Sequence, residues 1–124
     1  MNVFLWIVAS LLAAAFLASG LQKLLQPKEK LVNSGLAWTA DFSDGTVKLI
    51  GALELLGAIG LVLPGILGIA TVFVPLAAVG IGLIMIGAII THARRGEVQP
   101  IFINTFLLLL AAVVAWGRFG PYSF

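Results

Sequence analysis

The sequence contains no cysteine, a single histidine and few charges: seven basic and five acidic side chains in 124 residues. Without cysteine there is no disulfide framework, no thiolate metal site and no thiol-based redox relay within the chain. A lone histidine without a carboxylate cluster makes a poor metal site, so no metal ligands are assigned. The scarcity of charge excludes an ordinary water-soluble domain, in which about a quarter of the residues are charged. The net charge of +2 and pI near 9.4 do not point to nucleic acid, because such binding needs a concentrated basic face and these cations are scattered.

What the sequence has in abundance is apolar: 61% of its residues are hydrophobic and the mean hydropathy is +1.17. At about 20 residues per bilayer crossing, the length leaves room for four spans and three modest connections. The pattern predicts an all-α, integral membrane four-helix bundle with spans at about 3–22, 46–63, 69–91 and 101–117, forming a single domain over residues 1–124. The first run carries no charge from Val3 to Leu21. It reads as an uncleaved helix rather than a signal peptide, since no Lys or Arg precedes it and it exceeds a typical signal core. Residues 24–45 form the one long polar connection. There Leu36, Trp38 and Phe42 alternate with Asn33, Thr39 and Asp41, as suits a partly interfacial segment. Pro64-Gly65 is expected to stop the second span, and Pro75 either kinks the third or marks its first turn.

The cations set an expected orientation. Lys23, Lys28, Lys30, Lys48, Arg94 and Arg95 belong to the first and third connections or to the adjoining helix ends, and only Arg118 falls on the opposite side. The positive-inside rule then puts those connections in the cytoplasm and both termini outside a cytoplasmic membrane, with Arg94 and Arg95 as the main topology determinants. Trp6, Trp116, Phe119, Tyr122 and Phe124 would form an interfacial aromatic belt on the outer side.

This topology gathers Lys23, Lys48, Glu54, His92 and Asn104 in one half of the membrane as a ligand-binding or interhelical polar cluster, leaving the other half almost wholly apolar. Glu54 is the most informative of them. An acid within a span costs about 3 kcal/mol on insertion scales, so it faces the bundle interior and finds a partner. It lies six residues beyond Lys48, about 240° around the helix and about 9 Å deeper, so Lys48 is not its i, i+4 partner. Asn104, His92 or Lys23 from other helices are the candidates. Either Glu54 handles a proton or anchors a ligand, or it makes a packing-fixing interhelical hydrogen bond. Small residues supply expected packing positions: Gly51, Gly57 and Ala58 on the second span, and Ala77, Gly80 and Gly87 on the third, which makes these two spans the expected core pair. Gly57-Ala58-Ile59-Gly60 lacks the strand-turn-helix setting of a phosphate loop. No catalytic residue is assigned.

Several segments carry a family resemblance: Ser19-Gly20-Leu21-Gln22-Lys23-Leu24, the long stretch from Lys48 through Glu54 and Gly57 to Pro64, Gly87 to Glu97 around His92, and Asn104. With them the chain resembles the DoxX-like family of small four-helix bacterial membrane proteins over nearly its whole length. The resemblance implies a bundle in the cytoplasmic membrane and a link to thiosulfate:quinone oxidoreductase, from a subunit of which the family name comes. It transfers no catalytic set. Three expectations follow: first, an accessory or interaction subunit with the bilayer and a protein partner as its surroundings; second, a redox-linked subunit holding a quinone or other apolar ligand near Glu54; third, a small-solute or proton-coupled transporter. A homo-oligomer built on the small-residue stripe is compatible with each.

Overall fold

A computed structural model describes residues 2–33 and 36–124. Four long helices dominate: α1 (Asn2–Leu25), α3 (Asp44–Leu67), α4 (Phe73–Arg94) and α5 (Val98–Phe119). A short helix α2 (Lys28–Asn33) and a 3₁₀ turn (Ala37–Asp41) fill the first connection. Each long helix is long and apolar enough to cross a membrane, and no strand occurs among the described residues. The chain is a multi-pass membrane protein.

The helices run past the expected boundaries at most ends, for local reasons. Ser43 caps α3 by accepting the Thr46 N–H at 3.1 Å, and Asp44 sits in the first turn, where a negative charge complements the helix dipole. Pro64 does not stop α3; one more turn follows, closed by Gly68 in the left-handed conformation at φ +66°, whose N–H donates to the Pro64 carbonyl. Glycine adopts that conformation at no steric cost. Pro75 and Pro100 both fall in the first turn of their helices. An N–H there has no intrahelical acceptor, so proline removes nothing and no kink is needed.

Each helix packs on two neighbours in the order α1, α3, α4, α5. The broad interfaces are α1 with α3 and α4 with α5; α3 with α4 is smaller, and α1 with α5 is the narrowest of the four. The expected pairing of the second and third spans is therefore not the principal one. The dry core combines Val8, Leu12 and Phe16 of α1 with Ala58 and Leu61 of α3, Ile81 and Met85 of α4, and Ala111 and Val114 of α5. Large apolar side chains such as Leu11, Leu56, Leu83 and Leu109 face outward, as lipid permits.

The two ends of the bundle differ. At one, the first and third connections meet, with Arg95 bonded to Asp41 at 2.6 Å. At the other, Arg118 is buried between the chain ends: it donates to Asn2 Oδ1 at 2.5 Å and to the Tyr122 carbonyl at 2.8 Å, and its guanidinium lies 4.0 Å from the Phe124 ring centroid. Aromatic residues interlock at this end, Trp6 edge-on to Phe124 and Trp116 edge-on to Tyr122.

Candidate functional site

The site begins with two glycines. A Cβ added to Gly20 would lie 2.6 Å from the Gly51 carbonyl oxygen, and one added to Gly51 would lie 2.8 Å from Lys23 Cβ. Only bare backbone lets α1 and α3 come this close. The two helices run antiparallel, so Lys23, three residues after Gly20, lies level with Gly51, while Glu54, three after Gly51, lies level with Gly20; each side chain leans toward its own helix N-terminus, and the two meet between these levels. Lys23 Nζ lies 2.6 Å from Glu54 Oε1. Ser19, four residues before Lys23 and therefore on the same face of α1, accepts from Lys23 Nζ at 2.6 Å and donates to Glu54 Oε2 at 3.1 Å. Glu54 and Lys23 are only 2% and 5% exposed. A buried ion pair recovers its desolvation cost only with good geometry and added hydrogen bonds, and Ser19 supplies them.

This triad lines one wall of a cavity of about 470 Å³. Thr91, His92 and Asn104 line it from α4 and α5, and Phe16, Met85 and Leu107 give it an apolar floor. His92 Nδ1 is 2.8 Å from Glu97 Oε1, which fixes the ring. Trp38, on the 3₁₀ turn, closes the connection end: its ring meets His92 edge-on at 6.4 Å, and Lys23 Nζ lies 5.6 Å from its centroid. Two buried polar atoms of the cavity wall have no hydrogen-bond partner among the described residues: Glu54 Oε1, which faces the Lys23 ammonium, and Asn104 Nδ2.

Outside the spans, charges hold the connections in place. Arg95 bonds Asp41 and lies 3.3 Å from Glu97. The Asp41 hydrogen bond holds the Arg95 guanidinium above its ordinary value, opposed by desolvation and helped by the Asp41 and Glu97 charges. The hydrogen bond to His92 holds the Glu97 carboxyl below the usual carboxylate range, opposed by desolvation and helped by the Arg95 charge.

Lys23, Glu54, His92 and Asn104 thus share one cavity, and Lys48 does not. Lys48 is exposed, donates to the Leu24 carbonyl at 3.1 Å and borders a separate recess with Lys28 and Gln26; the six-residue offset from Glu54 turns it to the outer face. Arg94 is exposed. Among the packing positions, Gly51 serves the α1–α3 contact, while Gly57 abuts Ile81 and Ala77 meets Gly60 across α3 and α4, beside buried Ala58. Gly80 and Gly87 are a correction: a Cβ on either would meet nothing within 4 Å, so of Ala77, Gly80 and Gly87 only Ala77 packs against a neighbouring helix, and Gly87 instead lines the cavity. Ser19, Gly20 and Trp38 are the contributors that sequence reasoning missed. The Ser19–Lys23 spacing of four residues was the available signal for the first.

A family model described as "DoxX-like family" matches residues 7–114. Comparison with curated proteins and with solved structures finds no match to this chain.

Proposed function

The chain belongs to the DoxX-like family, and on that premise we propose that it is a ligand-binding subunit of a membrane assembly. Its cavity takes a neutral, mostly apolar molecule carrying at least one hydrogen-bond-accepting oxygen. The observation that carries this reading is the buried, unpartnered Asn104 Nδ2 at the cavity wall. A buried orphan donor costs about 1–3 kcal/mol, which an acceptor on the ligand removes. Lys23 and Glu54 neutralise each other, so the site offers an ionic ligand no net countercharge. The volume falls within the range of about 300–1,000 Å³ typical of small-molecule pockets. A quinone fits this chemical class, with ring carbonyls for Asn104 and an apolar body for Phe16 and Leu107. Thiol-based electron transfer is excluded because the chain has no cysteine, and a redox role would join this chain to an electron-supplying partner protein, so the accessory role and the ligand-binding role combine in one subunit. Transport has less support, because Glu54 is already paired and four spans without a visible inverted repeat are a poor scaffold for alternating access. The cation distribution favours a cytoplasmic position for the cavity end and an outer position for both termini.

The test is titration of a short-chain benzoquinone into the protein in bicelles, read as quenching of Trp38 in a Trp6→Phe/Trp116→Phe background. Saturable quenching is expected, with Kd weakened about tenfold by Asn104→Leu. Non-saturable quenching that is indifferent to Asn104→Leu would exclude the reading.

A further inference from the structure

The α1–α5 seam is closed at one end and open at the other. Toward the termini the helices are clamped: Arg118 holds Asn2, and a Cβ on Gly117 would strike Leu5 Cδ1 at 2.5 Å. Toward the connections the same two helices stand on opposite sides of the cavity. Ala15 and Ile103, one from each helix, line the cavity while remaining exposed on the outer surface, Ile103 to 56%. Those side chains therefore face the cavity and the bilayer at once. Beyond them Gly87 leaves open space, since a Cβ there would meet nothing within 4 Å.

The water-facing end is shut by contrast. The strap of residues 36–42 holds its shape through the Thr39 Oγ1 bond to the Leu36 carbonyl at 2.7 Å and is anchored by the full burial of Thr39, by Lys28 donating to the Phe42 carbonyl, and by Arg95 on Asp41. Trp38 is held between Lys23 and His92.

We infer that the cavity loads sideways from the lipid phase through the α1–α5 seam, so that its ligand is a bilayer-dissolved neutral amphiphile rather than a water-borne solute. The inference rests on the ligand-binding reading above. It also names Ala15 and Ile103 as the lips of the opening, with the strap as a fixed cover. A molecule entering this way keeps its apolar body in hydrocarbon throughout and brings only its acceptor oxygen to Asn104. Entry from water would require breaking the Arg95–Asp41 ion pair and displacing Trp38.

The experiment uses the full chain in proteoliposomes with Trp38 as the sole tryptophan, mixed rapidly with vesicles carrying the methyl ester of a doxyl-labelled fatty acid, a neutral lipid-phase quencher. The ester is expected to quench Trp38 and aqueous iodide to leave it largely unquenched. Gly87→Leu, which fills the cavity from α4, is expected to lower the plateau. Ala15→Phe and Ile103→Phe, introduced separately on opposite lips, are each expected to slow the approach to the plateau about tenfold; Asp41→Ala, which frees the strap, is expected to leave the rate unchanged. A plateau indifferent to Gly87→Leu means that the cavity does not hold the probe, and the ligand-binding reading falls. A plateau lowered by Gly87→Leu with rates unchanged in both lip variants overturns the lateral route alone, and acceleration by Asp41→Ala would then assign loading to the water side.

Discussion

Replacing Lys23 with methionine removes the ammonium 2.6 Å from Glu54 Oε1 and the 2.6 Å bond to Ser19, but keeps most of the side-chain volume. Glu54, 2% exposed, is left with the single 3.1 Å hydrogen bond from Ser19. Breaking one partner of a buried pair costs about 3–5 kcal/mol, because the cost is that of the stranded charge rather than of the lost attraction. Replacing both partners removes the stranded charge. Lys23→Met/Glu54→Met is therefore expected to return to within about 1 kcal/mol of the parent, far short of the sum of the two single replacements. Ser19→Ala loses only a neutral bridge and should cost about 1 kcal/mol or less, since polar groups in membrane helices find substitute partners in the unfolded reference state. Unfolding in mixed micelles by added denaturing detergent, followed by tryptophan fluorescence for the parent, Lys23→Met, Glu54→Met and their double, gives the whole cycle, with Ser19→Ala measured beside it. A Lys23→Met cost below about 1 kcal/mol, or a double variant as unstable as the sum of its singles, would refute the buried-pair reasoning.

Two further outcomes are expected from the same structure. Gly20→Ala should destabilise by about 1–3 kcal/mol, because its Cβ meets α3 backbone that cannot rotate away, whereas Gly80→Ala, with open space around it, should be neutral or up to about 1 kcal/mol stabilising from helix propensity; the same detergent titration reads both. The α4–α5 turn should respond to acid. The Glu97 carboxyl is held below its ordinary value of 4.5, so its contribution is complete above that value and is lost as the pH falls through the lowered folded-state value. Protection from hydrogen exchange, taken relative to the intrinsic rate at each pH, at the Gly96 and Glu97 amides, which donate to the Ala93 and His92 carbonyls, should hold steady from about pH 7 down to about 4.5 and fall only below it. Protection lost between about pH 7 and 5 would contradict that assignment of the tether.

The four spans were legible because apolar length is the direct requirement of a bilayer crossing, and Glu54 was legible as an interior residue because an acid facing lipid is so costly. The gathering of Lys23, Glu54, His92 and Asn104 at one end followed from counting positions along alternating helices. Which helix faces which did not follow. Small-residue stripes look alike whether they touch a neighbour or border a void, so the sequence does not separate Gly80 and Gly87, which face open space, from Gly20, a single glycine near the end of a charge-free run that makes the close contact. Lys48 shows a similar limit: its depth along the helix was readable and excluded direct pairing with Glu54, yet its membership of the cluster depended on packing that one sequence does not display. Pro64 was read as a stop because proline usually opposes helix continuation, but the Gly68 cap one turn later decided the boundary. Trp38 reached the site through a folded connection whose mixed polar and apolar spacing carries no sharp period.

The central claim is that the cavity bounded by Glu54, His92 and Asn104 holds a neutral, oxygen-bearing molecule from the lipid phase. Its most direct test is mass spectrometry of the small molecules and proteins that accompany the tagged full chain when it is isolated from native membranes, alongside Gly87→Leu prepared in parallel. The expected result is one apolar, carbonyl- or ester-bearing species present at close to one per chain in the parent and depleted in Gly87→Leu. An empty parent, or an associated molecule retained equally by Gly87→Leu, would contradict it.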